Sequence, residues 1–194
     1  MSSLAIATGP HLFWMVSRAA GILALVLSSA AVTVGLSMGG RFVKRRGLDL
    51  KSIHEALSLA TIVALVVHAV SLLGDGFLSP NIADLTIPFV SAFERWWTTL
   101  GILSGWALIL LGLSYYARTR IGIARWRTLH RFTALAWLGG LAHSLGEGTD
   151  AGEAWFLVSV AAVTVPALAL LAARLSQRDP SGLPQPSHDA ARAS

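Results

Sequence analysis

Long apolar stretches, separated by short charged ones, run through most of the sequence. Five of them cover residues 12–38, 53–74, 96–117, 128–146 and 154–175. At about 1.5 Å per helical residue, stretches of roughly 20 residues cross the hydrocarbon core of a bilayer. The pattern therefore predicts an all-α integral membrane bundle of about five transmembrane helices.

The charged residues between these stretches indicate the direction of each helix. Arginine and lysine concentrate at 41–51 and 118–131, whereas acidic residues concentrate at 75–95 and 147–153. Cytoplasmic loops of membrane proteins carry the excess of arginine and lysine. We therefore expect the amino terminus outside, the carboxyl terminus in the cytoplasm, and a multi-pass location in the cell (inner) membrane.

The composition indicates one helical unit in contact with the lipid bilayer. Apolar residues make up 54% of the chain and charged residues only 13%, which is typical of a membrane bundle. The basic loops account for the formal charge of +5, so we expect no nucleic-acid partner. We assign 12–175 to the transmembrane domain, 1–11 to an outer segment and the polar, proline-rich 176–194 to a disordered cytoplasmic tail.

Four histidines are the candidate chemical groups. His54 and His68 are fourteen residues apart in the second stretch, and His130 and His143 are thirteen apart in the fourth. The two helices are predicted to be parallel, so His54 and His130 would share the inner leaflet and His68 and His143 the outer one. Imidazoles inside a membrane are costly and mark functional sites, although a single one is about as often a packing residue bonded to a neighbouring helix.

The spacing of these histidines selects among metal sites. The inner and outer pairs would be roughly 20 Å apart, and zinc usually needs four close ligands. Haem iron takes two axial ligands from opposite sides, which facing helices can supply. We therefore predict His54 and His130 as axial ligands of an inner haem iron, and His68 and His143 as those of an outer one. The chain has no cysteine, so both haems would be non-covalent, b-type groups.

The second pair of histidines raises a geometric difficulty. On an ideal helix a fourteen-residue step returns to within about 40° of the same face, but a thirteen-residue step ends roughly 140° away. We therefore expect a distortion of the fourth helix, or haems that approach it from different sides. Gly139 and Gly140 are the candidates for local overwinding.

Several features together resemble the ferric reductase-like transmembrane domain family. They are the histidine spacing, WMVSRAAGILAL at 14–25, PFVS at 88–91 and HSLGEGTD at 143–150. The family includes NADPH oxidases, metalloreductases and the haem-binding membrane subunit of the periplasmic methionine sulfoxide reductase system. Its members commonly have six crossings, and the oxidases carry another histidine where this chain has Leu72. The resemblance covers about residues 12–175.

The resemblance implies an electron-transfer subunit of an oxidoreductase with no catalytic residue of its own. Electrons would pass from a cytosolic flavin reductase or membrane quinol, by way of two haem b groups, to an external reductase or a ferric chelate. FAD or FMN would be bound only by a separate partner, and quinone is a further candidate cofactor. Two alternatives stay open: a self-sufficient ferric-chelate or oxygen reductase, and a haem-free structural or transport membrane protein.

Arginines near each predicted haem are candidates for binding its carboxylates, and Arg95 is the weakest of them. Arg18 lies in the outer third of the first helix, where it is expected to face the bundle. An arginine at a comparable place in the oxidases suggests a propionate of the outer haem as its anion, and snorkelling to the surface is the alternative. Arg127 and Arg131 are inner candidates, but the positive-inside rule accounts for both on its own.

Overall fold

The computed structural model describes residues 12–40, 49–76, 78–148 and 150–176. This part of the chain is helical and contains no strand, so the all-α prediction is confirmed. The helices are α1 (Leu12–Gly40), α2 (Leu50–Leu72), α3 (Ile82–Thr86), α4 (Arg95–Leu113), α5 (Arg118–Ile121), α6 (Ile123–His130), α7 (Thr133–Gly146) and α8 (Ala154–Ser176), with a 3₁₀ turn over Ser114–Ala117. The predicted outer segment 1–11 and nearly all of the predicted tail lie outside the described residues.

Four helical spans are long and apolar enough to cross a membrane. They are Leu12–Gly39, Leu50–Leu72, Arg95–Ile121 and Ala154–Ser176. Large apolar side chains on them point outward, among them Val63, Leu110 and Val158, each more than three-fifths exposed. Such surfaces are suited to lipid rather than to water. The described part of the chain is therefore a helical bundle with the features of a membrane protein.

The helix predicted over 128–146 is divided between α6 and α7, and the expected distortion lies between them. Three backbone hydrogen bonds around Arg131 and Phe132 connect residues three apart instead of four. Both residues keep right-handed helical dihedral angles, so the backbone tightens into a 3₁₀ turn without reversing. With 14 residues, α7 alone is too short to cross a bilayer. The fifth crossing therefore requires α6 and α7 together and stays a prediction.

Helix α1 is the centre of the packing, in contact with α2, α7 and α8, while α4 packs against α7. A buried apolar cluster joins Leu25 of α1 to Phe156 and Val160 of α8. Trp137 of α7 is almost fully buried, and its Nε1 donates a hydrogen bond to Ser29 Oγ of α1 at 3.0 Å. Small buried residues such as Ser29 let neighbouring backbones approach closely.

The segment between α2 and α4 lies along α4. It contains the short helix α3, which Asn81 and Asp84 begin with a reciprocal capping box. Trp106 Nε1 of α4 donates to the Thr86 carbonyl at 3.0 Å, and Thr99 Oγ1 accepts from the Phe89 amide at 2.9 Å. These bonds attach the predicted outer loop to α4.

Single-cysteine labelling will decide whether α6 and α7 cross the membrane together. The chain contains no cysteine, and Arg125, before α7, and Glu153, after it, are both exposed. We expect a membrane-impermeant maleimide to label Glu153→Cys in intact cells but Arg125→Cys only after permeabilisation, because basic loops face the cytoplasm. Labelling of both positions from the same side would mean that this segment does not cross.

Candidate functional site

The two histidines of α2 contact α1 in the same way. His68 Nδ1 lies 2.8 Å from the Ser17 carbonyl, and His54 Nδ1 lies 2.9 Å from the Ala31 carbonyl. A carbonyl only accepts, so Nδ1 carries the proton in both imidazoles. Ser17 and Ala31 are fourteen residues apart, like the two histidines. A single antiparallel register of α1 and α2 therefore allows both hydrogen bonds.

A glycine follows each of these carbonyls by four residues. A Cβ atom on Gly21 would lie 3.0 Å from His68 Nδ1, and one on Gly35 would lie 3.1 Å from His54 Cε1. Both distances are shorter than ordinary van der Waals contact, so the glycines leave room for the imidazoles. We use the term histidine cradle for this arrangement. In it, one helix provides a backbone carbonyl at residue i and a glycine at residue i+4, and the neighbouring helix provides the histidine.

Helix α4 forms a third histidine cradle for His143 of α7. His143 Nδ1 lies 3.0 Å from the Trp97 carbonyl, and a Cβ atom on Gly101 would lie only 2.7 Å from the same imidazole. The cradle thus recurs on a second pair of helices.

His130 of α6 occupies an incomplete version of this arrangement. Its Nδ1 is buried and has no hydrogen-bond partner in the described part of the chain. The Leu111 carbonyl is within interaction range and lies fourteen residues after that of Trp97, but Tyr115 stands where the glycine would be. The His130 ring instead stacks on Trp126, with centroids 5.0 Å apart.

The distortion between His130 and His143 lies at Arg131 and Phe132, whereas Gly139 and Gly140 stay within α7. A 3₁₀ residue advances by about 120° instead of 100°. Tightening over three or four residues would therefore recover roughly 60–80° of the 140° offset of an ideal helix. The 3₁₀ turn brings the two histidines closer to one face than their spacing alone allows.

The inner pair, His54 and His130, consists of two neighbouring imidazoles in an edge-to-face arrangement. Their ring centroids are 6.1 Å apart and their planes are nearly perpendicular. With metal–nitrogen bonds of about 2.0 Å, two imidazoles on opposite sides of one metal ion would have centroids roughly 6 Å apart. The two rings border a cavity of about 270 Å³ that is lined by residues of α1, α2, α4, α6, α7 and α8 and of the turn at Arg131. This volume is slightly below the roughly 300–1,000 Å³ of ligand pockets.

The outer pair, His68 and His143, makes no comparable ring contact, although both residues lie in the described ranges. His143 and Glu147 are near enough to interact electrostatically with His68. Glu147 Oε2 lies 3.1 Å from His143 Nδ1, and Glu147 Oε1 accepts from Thr98 Oγ1 at 3.0 Å. The outer pair therefore has a carboxylate beside one imidazole.

The predicted propionate ligand Arg18 forms an ion pair with Asp150. Its Nε lies 2.6 Å from Asp150 Oδ2, and its Nη2 contacts Oδ1. Trp14 and Trp155 lie beside the guanidinium, with centroids 5.1 and 6.0 Å away. A propionate would have to share Arg18 with this carboxylate. The sequence analysis missed Asp150, although it ends the HSLGEGTD stretch.

The donor set of the site is two imidazoles for each candidate centre. Among the described residues, no group of three or more histidine, cysteine, aspartate or glutamate side chains could hold a metal ion. Protonation at Nδ1 leaves Nε2 of His54, His68 and His143 with a lone pair. The arrangement can thus supply imidazole ligands to a metal whose other positions are already filled.

Replacing Gly101 by alanine tests the histidine cradle on α4. The added methyl group would push the His143 imidazole off the Trp97 carbonyl, so we expect unfolding to become easier by about 1–3 kcal/mol. Gly105→Ala is the matched control on the same helix, because a Cβ there meets no atom within 4 Å. Thermal unfolding in detergent should separate the two variants, and equal stability would contradict the contact.

The family expectation depends on the four histidines and three short stretches of sequence. Comparison of the chain with protein-family models, with curated proteins and with solved structures gives no match. Membership of the ferric reductase-like family therefore stays a prediction, and the function has to be inferred from the geometry of the site.

Proposed function

We propose that the protein is a membrane cytochrome that holds two b-type haems and passes single electrons across the bilayer. The observation that carries this proposal is the repeated histidine cradle, which fixes the imidazoles of His54, His68 and His143 through Nδ1. Histidines that ligate metals characteristically donate the other ring N–H to a carbonyl or carboxylate. A histidine that only packs needs a hydrogen bond, but it does not need the same carbonyl and glycine three times.

The residues present fit the proposed group at the inner centre. The His54 and His130 rings lie 6.1 Å apart and line one cavity, together with apolar side chains that include Ile62 and Leu108. The buried Nδ1 of His130, which has no partner among the described residues, would gain a hydrogen bond if its ring shifted toward the Leu111 carbonyl. Two imidazoles per centre, with no third protein ligand, suit an iron whose four remaining positions are filled by a macrocycle.

Each element of the site has a defined role in this proposal. Bound haem would supply the one-electron redox chemistry. The carbonyls of Ser17, Ala31 and Trp97 hold the ring orientation and the tautomer, and the cradle glycines allow close approach of the helices. The apolar side chains keep water away, which lowers the local dielectric constant around a charged metal.

The predicted topology places the inner pair near the cytoplasmic face and the outer pair near the external one. A cytosolic flavin reductase or membrane quinol would donate electrons at the inner pair, and an external reductase or ferric chelate would accept them at the outer pair. The vertical separation of roughly 20 Å between the pairs suits a column of two centres. The resemblance of the four histidines to the ferric reductase-like family supports the same direction.

A reduced-minus-oxidised spectrum tests the proposal directly. Membranes containing the full chain, expressed with haem supplied, should show a b-type absorbance after dithionite, and a pyridine haemochrome assay should give two haems per chain. A haem-free structural or transport protein would show no Soret band above that of control membranes. That result would falsify the cytochrome assignment.

Single histidine variants test the pairing. We expect His54→Ala and His130→Ala each to lose the inner haem, and His68→Ala and His143→Ala each to lose the outer one, so that every variant falls from two haems per chain to one. His188→Ala, outside the predicted bundle, is the matched control and should keep both. Retention of two haems by all four bundle variants would show that the pairing is wrong.

A further inference from the structure

The inner cavity holds two positive charges. Arg131, at the turn between α6 and α7, and Arg174, near the end of α8, line it together with the inner pair. No aspartate or glutamate is among its lining residues. The two ion pairs found within the described residues, Arg18 with Asp150 and His143 with Glu147, both lie elsewhere.

The other polar side chains of the cavity are already occupied. The hydroxyls of the lining residues Ser28, Ser58, Thr61 and Thr133 each donate to a backbone carbonyl of their own segment. Their remaining capacity is to accept hydrogen bonds. Apart from the imidazoles of His54 and His130, Arg131 and Arg174 are therefore the lining side chains that can donate to an anion.

The packing of α8 against α1 directs Arg174 to this place. A Cβ atom on Gly39 would clash with Nη2 of the Arg174 guanidinium. The guanidinium can therefore lie against α1 only because residue 39 has no side chain. Arg174 is partly buried, whereas Arg131 is exposed at the edge of the cavity. A cation that is partly removed from water needs a partner charge or hydrogen-bond acceptors. Two guanidiniums beside one apolar cavity thus favour a ligand that is largely apolar but carries negative charge at one end.

We propose that Arg131 and Arg174 bind the propionate carboxylates of the haem held by His54 and His130. This inference rests on the proposed function, which supplies a ligand with an apolar ring and carboxylates at one edge. It differs from the sequence analysis, in which Arg127 was an equal candidate: Arg127 does not line the cavity. Arg174, which sequence analysis did not select, does.

The test removes the charge from the protein and from the porphyrin in turn. The full chain carrying His68→Ala and His143→Ala, so that only the inner centre is loaded, is titrated in detergent with haem and with haem dimethyl ester, whose carboxylates are blocked. We expect the chain to bind haem more tightly than the ester by roughly tenfold or more, as charge-assisted hydrogen bonds provide. Adding Arg174→Gln should remove most of that preference, and Arg174→Lys should keep part of it.

Arg125→Gln is the matched control, because Arg125 is exposed on α6 and lies outside the cavity. Its preference for haem over the ester should be unchanged. Arg131→Gln provides a second variant in case Arg174→Gln does not fold. If the Arg174→Gln, Arg131→Gln and Arg125→Gln chains all prefer haem over the ester equally, the propionate assignment is overturned and the haem proposal stands. If the chain with all six histidines binds neither porphyrin, both proposals are overturned.

Discussion

An imidazole among apolar helices has to satisfy its N–H group, and this requirement organises the bundle. In a helix the carbonyl of residue i already accepts from the amide of residue i+4, so a histidine of the neighbouring helix has to use the second lone pair. Residue i+4 lies beside that lone pair, and any side chain there would obstruct the approach. This geometry explains why a glycine follows each accepting carbonyl by four residues. The pairs are Ser17 with Gly21, Ala31 with Gly35 and Trp97 with Gly101.

The same requirement explains why α1 is the centre of the fold. Its two histidine cradles are fourteen residues apart and face α2, so a slide of one helix along the other would break both hydrogen bonds at once. Elsewhere on α1, Leu25 packs on α8 and Ser29 accepts from Trp137 of α7. α1 is thus held from three sides, and the histidines of α2 take their depth and rotation from it rather than from α2 itself.

The sequence predicted the class of fold and most of the helix positions, because long apolar runs leave few alternatives. α1, α2 and α8 begin and end within three residues of the predicted bounds. The thirteen-residue histidine spacing indicated a distortion of the fourth helix, but its position at Arg131 and Phe132 left no signal, since neither glycine nor proline marks it. Backbone acceptors such as the Ser17 carbonyl are equally invisible in a sequence. Gly21 and Gly35 were detectable, however, because they repeat the fourteen-residue spacing of His54 and His68. The haem ligands themselves stay a prediction.

The charges around the two histidine pairs make the pairs unequal. At the outer pair, Glu147 adds a carboxylate beside His143, and Arg18 is compensated by Asp150. At the inner pair, Arg131 and Arg174 border the cavity with no carboxylate among the lining residues. A dianionic porphyrin edge would therefore be stabilised more at the inner centre than at the outer one. Neutralising the propionates would also favour the reduced form of the metal, because uncompensated negative charge opposes the addition of an electron. The inner site would therefore bind haem propionates more tightly than the outer site, and the inner haem would have the higher reduction potential. Transfer from the inner haem to the outer one would then depend on how rapidly the external acceptor removes the electron.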